Sequence, residues 1–483
     1  MVIGSIDPSS ALAEFSAPII LGVMGFVVLL AGIARVKKEI ISWLTFITLG
    51  VSAIVVYFTT GSGSTAFGGT SIFNQFGTYF SIVMIISSMF ITYPASKNLG
   101  GRYEIFYSTL LFVTVGMVVA AFSVNLITLF VAFESVSIGT YVLSSYGKTR
   151  RNLEGSLKYF FTGTIATAFT LFGSAFYYMG TGTFNLVNLS GLRVTPEITV
   201  SLFFLIIGFG FKMALFPMHQ WAIDTYDGSE NSVSAFLSSG SKVLAFVVIL
   251  KVFLSGFSFD AREVYYLFVI LSIVTMTYGN LAALSQNNLK RILAYSSIAQ
   301  AGYLILVITV VAASGNPFGR VAEFAIASGM FYSLVYIFMK GGSFITLNAV
   351  TSDHVDISDV SGLAKKSPSI AVSFSIMLLA LAGIPLTGGF LAKYYLFLSL
   401  IQGSLWWLAV IAILNSAISV FYYFKIIMYM FGRDVRSGES FDVSGRVKWP
   451  VVGSATITVA LFGLGILSSF FPALLNISVG LFG

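Results

Sequence analysis

The 483-residue sequence contains no cysteine and only two histidines, His219 and His354. Without cysteine, the chain forms no disulfide, no thiolate zinc site and no cysteine-ligated iron–sulfur cluster. Two histidines are too few for the usual multi-histidine metal sites or for a bis-histidine haem. Any chemistry in this chain must therefore use carboxylates, amines, hydroxyls and water.

Charge is also scarce, since charged residues make up 9% of the sequence and hydrophobic residues 57%. A soluble domain has about 25% charged residues, and a soluble chain of this length would form about three domains with hydrated surfaces. The composition therefore predicts an integral membrane protein. The net charge of +7 does not indicate nucleic-acid binding, because no run of Lys and Arg is longer than two residues.

Long apolar segments recur along the whole chain. A membrane-spanning helix needs about 20 mostly apolar residues, and these continuous runs lack the alternation of barrel strands. The first ten residues lack the basic region of a signal peptide, so the first segment is predicted to be retained as a span. The sequence predicts an all-α membrane protein with about fourteen spans, near residues 16–34, 39–60, 77–95, 105–121, 122–146, 156–179, 199–218, 231–253, 264–285, 294–313, 321–349, 370–401, 404–431 and 450–475.

The basic residues of the loops indicate the orientation. With fourteen spans, sixteen loop lysines and arginines fall on one side and three on the other. Basic loops remain in the cytoplasm, so both termini are predicted to lie outside the cell membrane of a prokaryote. The predicted cytoplasmic loops contain Arg35, Lys37, Lys38, Lys97, Arg102, Lys148, Arg150, Arg151, Lys290, Arg291, Lys365, Lys366, Arg433, Arg436, Arg446 and Lys448. The predicted external loops contain Arg193, Arg262 and Arg320.

Five charged residues are predicted to lie deep inside spans: Glu134, Lys212, Lys242, Lys340 and Lys393. Each isolated charge at the bilayer centre costs about 2.5–3.5 kcal/mol on insertion scales, so such groups face protein or water and often mark an ion path. Burial disfavours the charged form, which makes each group a candidate proton carrier. Glu134 and Lys212 could instead form a structural ion pair, but one carboxylate cannot neutralise four lysines.

Three other lysines lie toward span ends, namely Lys158, Lys251 and Lys425. They are expected to extend to the headgroups, as long basic side chains often do. Glu154 lies four residues before Lys158, which predicts a supporting pair on one helix face.

Two spans contain interruptions close to a deep lysine, at Pro217 in the seventh span and Pro385 in the twelfth. Proline removes a helix hydrogen bond, and interrupted helices in corresponding halves are typical of ion sites in transporters built from inverted repeats. Spans 4–8 and 9–13 are therefore predicted to be two inverted five-helix repeats. The predicted divisions are 1–104 for helices 1–3, 105–260 and 261–431 for the two repeats, and 432–483 for a cytoplasmic loop with helix 14.

Several motifs together resemble the antiporter-like membrane subunits of the respiratory complex I family, and most closely its subunit N type. The similarity extends from about Ser108 to Met430. The residues that carry it are Glu134 … Tyr141-Val-Leu143 … Glu154-Gly-Ser-Leu-Lys158-Tyr-Phe160, Phe211-Lys212 … Pro217-Met-His219-Gln-Trp221 … Asp224-Thr-Tyr226-Asp-Gly228, Gln286 … Leu289-Lys-Arg291 … Leu293-Ala-Tyr-Ser-Ser-Ile298 … Gly302, and Gly383-Ile-Pro385 … Phe390 … Lys393-Tyr394.

The resemblance implies roles for the deep charges. Glu134 and Lys212 would form a charge-switching pair, Lys242 would be the central proton carrier, and Lys393 the terminal carrier. Protons would enter from the cytoplasm near the eighth span and pass from Lys242 through Lys340 to Lys393.

The resemblance also implies what the chain lacks and what surrounds it. It would bind no cofactor and would be a non-redox subunit of a quinone oxidoreductase whose electron donor is NADH, F420H2 or ferredoxin. Quinone, FMN and iron–sulfur clusters are expected in partner subunits. The partners would be sister antiporter-like subunits, small helical subunits and the lipid bilayer, with no nucleic acid.

The segment between the seventh and eighth spans has no lysine or arginine and carries Asp224, Asp227 and Glu230. These acids could collect protons at a cytoplasmic entrance, with His219 as a further candidate, or they could be ordinary solvated loop residues.

Other functions remain open. The run Phe338-Met-Lys340-Gly-Gly342 is more similar to the sister subunits and to multi-subunit sodium/proton antiporters, which supports an alternative as an antiporter subunit without a redox partner. A structural scaffold is disfavoured by the excess of deep lysines over carboxylates. A metabolite transporter is disfavoured because the deep charges follow an axis, and a self-contained enzyme because no catalytic constellation is present.

Overall fold

A computed structural model provides the structure of the chain, and it describes residues 12–60, 63–99, 102–187, 189, 194–257, 261–316, 319–350, 355–432, 441–467 and 469–482. Four residues discussed above lie outside these ranges: Arg193, His354, Arg433 and Arg436.

The described chain is almost wholly helical, with one short antiparallel hairpin of β1 (Ser64–Ala66) and β2 (Ser71–Phe73), in which Ser64 lies opposite Phe73. The helices are α1 (Ser16–Ile33), α2 (Lys38–Thr59), α3 (Gln75–Asn98), α4 (Tyr103–Phe122), α5 (Leu126–Ser144), α6 (Arg150–Thr181), α7 (Pro196–Met213), α8 (Gln220–Gly228), α9 (Asn231–Ser238), α10 (Gly240–Leu250), α11 (Ala261–Leu284), α12 (Leu289–Leu304), α13 (Leu306–Ala313), α14 (Arg320–Thr346), α15 (Leu363–Lys366), α16 (Pro368–Ala382), α17 (Gly388–Gln402), α18 (Trp406–Gly432), α19 (Gly445–Leu467) and α20 (Phe470–Ser478).

Thirteen helical segments of the described chain are long and apolar enough to cross a membrane. The predicted twelfth span is not among them, because it consists of two helices, α16 and α17, of 15 residues each. The last predicted span is also divided, since α19 ends at Leu467 and α20 begins at Phe470. With these two differences, the predicted all-helical membrane fold is confirmed. The inverted repeats and the domain boundaries stay predictions.

The most enclosed span runs from Asn231 to Ser255 and comprises α9, α10 and one π-helical turn, Lys251–Ser255. It is buried along its whole apolar window, so it contacts protein on every side. Helix α14 is similarly central and packs against α9, α13, α16, α17 and α19. Because lipid offers no hydrogen bonds, polar groups on these two spans must find partners inside the protein.

The seventh span is interrupted between α7 and α8. Helix α7 ends at Met213, and Ala214 adopts a left-handed backbone with φ of 58°. Pro217 follows, where the missing N–H prevents a regular helix. The backbone N–H of Phe216 donates to the Thr275 hydroxyl at 3.1 Å, which ties the interruption to α11.

The twelfth span is interrupted between α16 and α17. Gly383 ends α16 with φ of 85°, a backbone conformation that glycine adopts easily, and its N–H donates to the Leu379 carbonyl at 3.0 Å. Pro385 lies in the break, and the Thr387 side chain caps α17 by accepting from the N–H of Phe390 at 3.3 Å. Gly383 thus ends α16, and Thr387 begins α17.

Replacing Gly389 with alanine should destabilise this break. A Cβ atom at Gly389 would lie 2.0 Å from the Ala380 carbonyl oxygen, which is backbone and cannot turn away. Overpacking of this kind costs about 1–3 kcal/mol, so we expect a lower melting temperature in detergent for Gly389→Ala.

Gly453→Ala is the matched control, since Gly453 lies in helix α19 and a Cβ atom there meets nothing within 4 Å. It should leave the melting temperature unchanged or raise it slightly, because alanine favours helix. Equal melting temperatures for the two variants would contradict the close approach of α17 to α16.

Candidate functional site: a row of buried lysines

The four lysines predicted to lie deep in the membrane are all buried, with relative exposures of 1% for Lys212, 0% for Lys242 and Lys340, and 3% for Lys393. They lie on four different helices: α7, α10, α14 and α17. The structure therefore places each amine inside protein rather than at the lipid surface.

Hydroxyl groups surround the amine of Lys212. Its Nζ donates to the Tyr159 hydroxyl at 2.8 Å, to Thr140 Oγ1 at 2.9 Å and to Ser137 Oγ at 3.3 Å. The Tyr159 ring stacks on Trp221 of α8 with a centroid distance of 4.2 Å. Helices α5, α6 and α8 thus jointly position the groups around Lys212.

Glu134 lies on α5 and is half-buried. Within the described chain, none of its oxygens comes within the 4.0 Å of Lys212 Nζ that defines an ion pair. The two groups still act on each other electrostatically. The structure therefore shows a hydroxyl-bound amine with the carboxylate farther away, rather than a direct Glu134–Lys212 pair.

Two consecutive serines of α12 hold the next two lysines. Lys242 Nζ donates to the Ser297 carbonyl at 2.7 Å and to its hydroxyl at 2.9 Å. Lys340 Nζ donates to the Ser296 hydroxyl and to the Leu293 carbonyl, the latter at 2.5 Å. Leu293, Ser296 and Ser297 stand at positions i, i+3 and i+4, which form one stripe of a helix surface, so one face of α12 serves both amines.

The same face of α12 continues toward Lys393 through Gln300. The Gln300 side chain donates to the Leu381 carbonyl at 3.1 Å and accepts from the Tyr332 hydroxyl. Lys393 Nζ donates to that same Leu381 carbonyl at 2.8 Å. One carbonyl oxygen therefore joins the Gln300 amide to the terminal lysine.

Lys393 occupies the break of the twelfth span. Besides Leu381, its Nζ donates to the Ala382 carbonyl at 3.2 Å and to Ser416 Oγ at 3.0 Å. These carbonyls end α16, where the helix dipole favours a cation. A cavity of about 490 Å³ reaches Lys393 and Ser416, and its wall includes the exposed side chain of Ile401. The cavity therefore opens to the surface of the molecule.

Neutral oxygens are thus the direct partners of all four amines. In the described chain, no carboxylate lies within 4.0 Å of the amine of Lys212, Lys242, Lys340 or Lys393. A proton can leave or join such an amine without breaking an ion pair. Hydroxyls can both donate and accept hydrogen bonds, which suits them to a proton path.

The segment between the seventh and eighth spans differs from the predicted loop. Residues 220–228 form helix α8, so Asp224 and Asp227 lie on a helix and not in a loop. Asp224 pairs with Lys158 at 2.7 Å and with Arg291 at 3.2 Å. Asp227 pairs with Arg291 at 3.0 Å and with Arg151. Neither aspartate is a freely solvated loop acid.

The Glu154–Lys158 pair forms as an i, i+4 contact of 2.8 Å on α6.

His219 is buried at the start of α8 with its ring 4.5 Å from that of Tyr278. Among the described residues, no hydrogen-bond partner reaches either of its ring nitrogens.

One expectation about span ends is wrong. Lys251 does not extend to the headgroups, because its side chain is 5% exposed and Nζ donates to the carbonyls of Ala121 and Ser123, the latter at 2.9 Å. The reason is that its span is enclosed by protein to the last turn. Lys158 and Lys425, by contrast, have partly exposed partners, Asp224 and Asn287.

Sequence reasoning missed the polar groups that connect the lysines, chiefly Ser296, Ser297, Gln300 and Tyr159. A signal was present for three of them, since Ser296, Ser297 and Gln300 recur at helical spacing within an apolar span. The fold and this site define a polytopic helical membrane protein with a buried polar axis.

Comparison with known proteins agrees with this architecture. The family described as NADH:quinone oxidoreductase/Mrp antiporter, transmembrane, matches residues 123–419. Subunit N of the F(420)H(2) dehydrogenase of Methanosarcina mazei is 38% identical, over 86% of this chain and 87% of the relative. NADH-quinone oxidoreductase subunit N 1 of Solibacter usitatus is 34% identical over 96% of both chains.

Solved structures with the same fold include a chain of respiratory complex I from Thermus thermophilus, with a TM-score of 0.82, 30% identity, and coverage of 95% of this chain and 99% of that one. A chain of the Mrp complex from Dietzia shares the fold with a TM-score of 0.84 and 20% identity over 97% of both chains. The chain belongs to the NADH:quinone oxidoreductase/Mrp antiporter transmembrane family, and the resemblance inferred from its motifs is confirmed.

Proposed function

We propose that this chain is the proton-translocating membrane subunit N of a complex I-type quinone oxidoreductase. Electron transfer in neighbouring subunits would drive protonation changes along its buried lysines. The observation that supports this function most strongly is the set of four buried amines bonded to neutral oxygens. One face of α12 joins three of them, those of Lys242, Lys340 and Lys393. Relatives over nearly the whole chain are named subunit N of such oxidoreductases.

The proposed path is lateral. Protons enter from the cytoplasm near the eighth span and reach Lys242, whose amine bonds to Ser297. They pass along the hydroxyls of α12 to Lys340, and then past Gln300 to Lys393. Water completes the steps between these groups, and the protons leave toward the outside from Lys393.

Lys212 and Glu134 act as the charge-switching pair beside this path. Because hydroxyls hold the amine and the carboxylate lies farther away, a change of charge on either group alters the field at the other without rearranging a direct contact. Such a long-range electrostatic interaction is strong in a medium of low dielectric constant.

The chain contributes no redox site in this proposal. Quinone, FMN and iron–sulfur clusters belong to partner subunits, and sister antiporter-like subunits and small helical subunits lie beside it in the membrane. The asymmetry of loop charges supports a prokaryotic cell membrane with both termini outside.

A second candidate is a subunit of a cation/proton antiporter without a redox partner. The run from Phe338 to Gly342 around Lys340 favours it, since this run is more similar to antiporter subunits. The same buried lysines would then exchange ions instead of responding to electron transfer.

The redox-driven function and the antiporter function can be distinguished by purifying the native assembly in mild detergent. Every co-purifying chain is then identified by mass spectrometry. We expect iron–sulfur and quinone-site subunits alongside this chain, and their cofactors would reveal the electron donor. An assembly that contains only other antiporter-like chains would overturn the redox-driven function in favour of the antiporter.

A further inference from the structure

A group of charged side chains at the predicted cytoplasmic end of the molecule joins three helices. Asp224 and Asp227 of α8 contact Lys158 and Arg151 of α6 on one side and Arg291 of α12 on the other. We call these five residues the α8 clamp. Arg291 reaches both aspartates, at 3.2 and 3.0 Å.

Asp227 is the central member of the α8 clamp. Its side chain is 2% exposed, and a single oxygen, Oδ2, accepts from both Arg151 and Arg291. The other oxygen, Oδ1, is buried and receives no hydrogen bond from the described residues. Asp227 therefore links α6 and α12 to α8 through one carboxylate oxygen.

Helix α8 connects the clamp to Lys212. Trp221, in the first turn of α8, stacks on Tyr159 and donates from Nε1 to the Phe211 carbonyl at 2.8 Å. Tyr159 in turn bonds to Lys212 at 2.8 Å and directly follows the clamp residue Lys158. A displacement of α8 or of the adjacent turn of α6 must therefore change the hydroxyl groups around Lys212.

Helix α12 connects the clamp to the other lysines. Arg291 lies in its first turn, and Ser296 and Ser297 follow less than two turns later, a rise of about 8–9 Å along the axis. Because a helix of this length moves as a rigid unit, the position of Arg291 fixes the position of the serines that hold Lys340 and Lys242.

The break before α8 leaves room for such movement. Residues 214–219 separate α7 from α8 and contain no helical hydrogen-bond ladder. The short helix is thus positioned by its contacts with neighbouring helices, and the clamp supplies ion pairs to both α6 and α12.

We propose that the α8 clamp couples Lys212 to the lysines of the proton path, with Asp227 as a positioning residue. A change of charge at Lys212 moves the Tyr159–Trp221 stack, the clamp transmits the movement of α8 to Arg291, and α12 then shifts the serines that hold Lys242 and Lys340. The inference rests on the proposed function, since it specifies how the charge-switching residue Lys212 affects the lysines of the proton path.

Asp227→Asn tests the clamp in the complete native assembly, reconstituted into lipid vesicles with its partner subunits. The measured quantities are the rate of electron transfer, the initial rate of proton uptake and their ratio. Coupling free energies between protein sites typically correspond to factors of about 5–150, so we expect about a fivefold loss of protons moved per electron in Asp227→Asn.

Two further variants separate coupling from stability. Asp227→Glu keeps the carboxylate and should restore the ratio, although its extra methylene strains a buried site. A merely structural role would reduce the amount of assembled complex in both variants and leave the ratio unchanged. Glu39→Gln is the matched control, because the exposed Glu39–Arg446 pair at 3.4 Å lies on other helices, and its ratio should equal that of the unmodified complex.

An unchanged ratio in assembled Asp227→Asn would overturn the clamp. If that variant does not assemble, Arg291→Gln removes the contacts of Arg291 with both aspartates at a side chain that is 40% exposed. An unchanged ratio of protons to electrons in Arg291→Gln would also overturn the clamp. Lys242→Ala in the same vesicles separates the two proposals. Pumping that persists in Lys242→Ala contradicts the proposed function, whereas pumping lost in that variant but normal in Asp227→Asn contradicts only the clamp.

Discussion

Replacing Lys242 with alanine is expected to abolish most proton translocation while the assembly stays intact. Lys242 is fully buried on the most enclosed span, and its amine bonds only to Ser297 among the described residues. We expect the rate of proton uptake per assembled complex to fall at least about tenfold, equivalent to a barrier higher by about 1.4 kcal/mol.

Lys242→Arg distinguishes a proton carrier from a fixed charge. A guanidinium keeps the positive charge but does not release its proton in proteins. Arginine at this position should therefore also block translocation if Lys242 carries protons, and should preserve it if only a charge is needed. Proton uptake by assembled complexes in vesicles is the measurement for both variants.

Lys251→Ala is the matched control for Lys242→Ala. Lys251 is also buried and lies on the same span, but its amine bonds to two backbone carbonyls at the end of α4 rather than to α12. Its loss should lower the melting temperature and leave the number of protons moved per electron unchanged. Unchanged pumping in a verified, assembled Lys242→Ala complex would refute the role assigned to Lys242.

Replacing Lys393 with glutamine, at the other end of the path, should reduce proton translocation about as strongly as Lys242→Ala. Lys393 Nζ bonds to the carbonyls of Leu381 and Ala382 and to Ser416 beside the cavity. In Lys393→Gln, an amide N–H₂ can still donate to these carbonyls, but no group there binds or releases a proton. We expect proton release to the outside to fall at least about tenfold, with the assembled amount preserved.

Lys425→Gln provides the corresponding control, since Lys425 lies at the far end of α18 and bonds to Asn287 at an exposed position. Its proton release should match that of the unmodified complex. If complexes with Lys393→Gln release protons as fast as complexes with Lys425→Gln, then Lys393 caps the end of α16 and does not carry protons.

Much of the fold was predictable, because a bilayer imposes simple rules on a chain. Apolar segments of about 20 residues identified thirteen of the spans, and the prolines at 217 and 385 lie where the seventh and twelfth spans are interrupted. Lys212, Lys242, Lys340 and Lys393 stood out as charges within apolar runs, and all four are buried.

The surroundings of these lysines were not predictable in the same way. Lys251 also lies within a span near its end, yet whether it reaches the headgroups depends on which helices cover that end, and here α4 does. Asp227 looked like a loop acid, whereas two arginines, 76 and 64 residues away in sequence, bury it. Local sequence carries no direct signal for contacts of this range.

The sequence by itself determined that the protein spans a membrane, where thirteen of its spans lie, that the seventh and twelfth are interrupted, and that four lysines lie deep within spans. These properties follow from transfer free energies and backbone geometry, which act residue by residue. Only the tertiary structure decided that neutral hydroxyl and carbonyl oxygens are the direct partners of the amines, that one face of α12 joins three of them, and that ion pairs hold α8 between α6 and α12. The contacts made by α12 in this row join residues 44 to 81 positions apart, and helix packing alone brings these residues together.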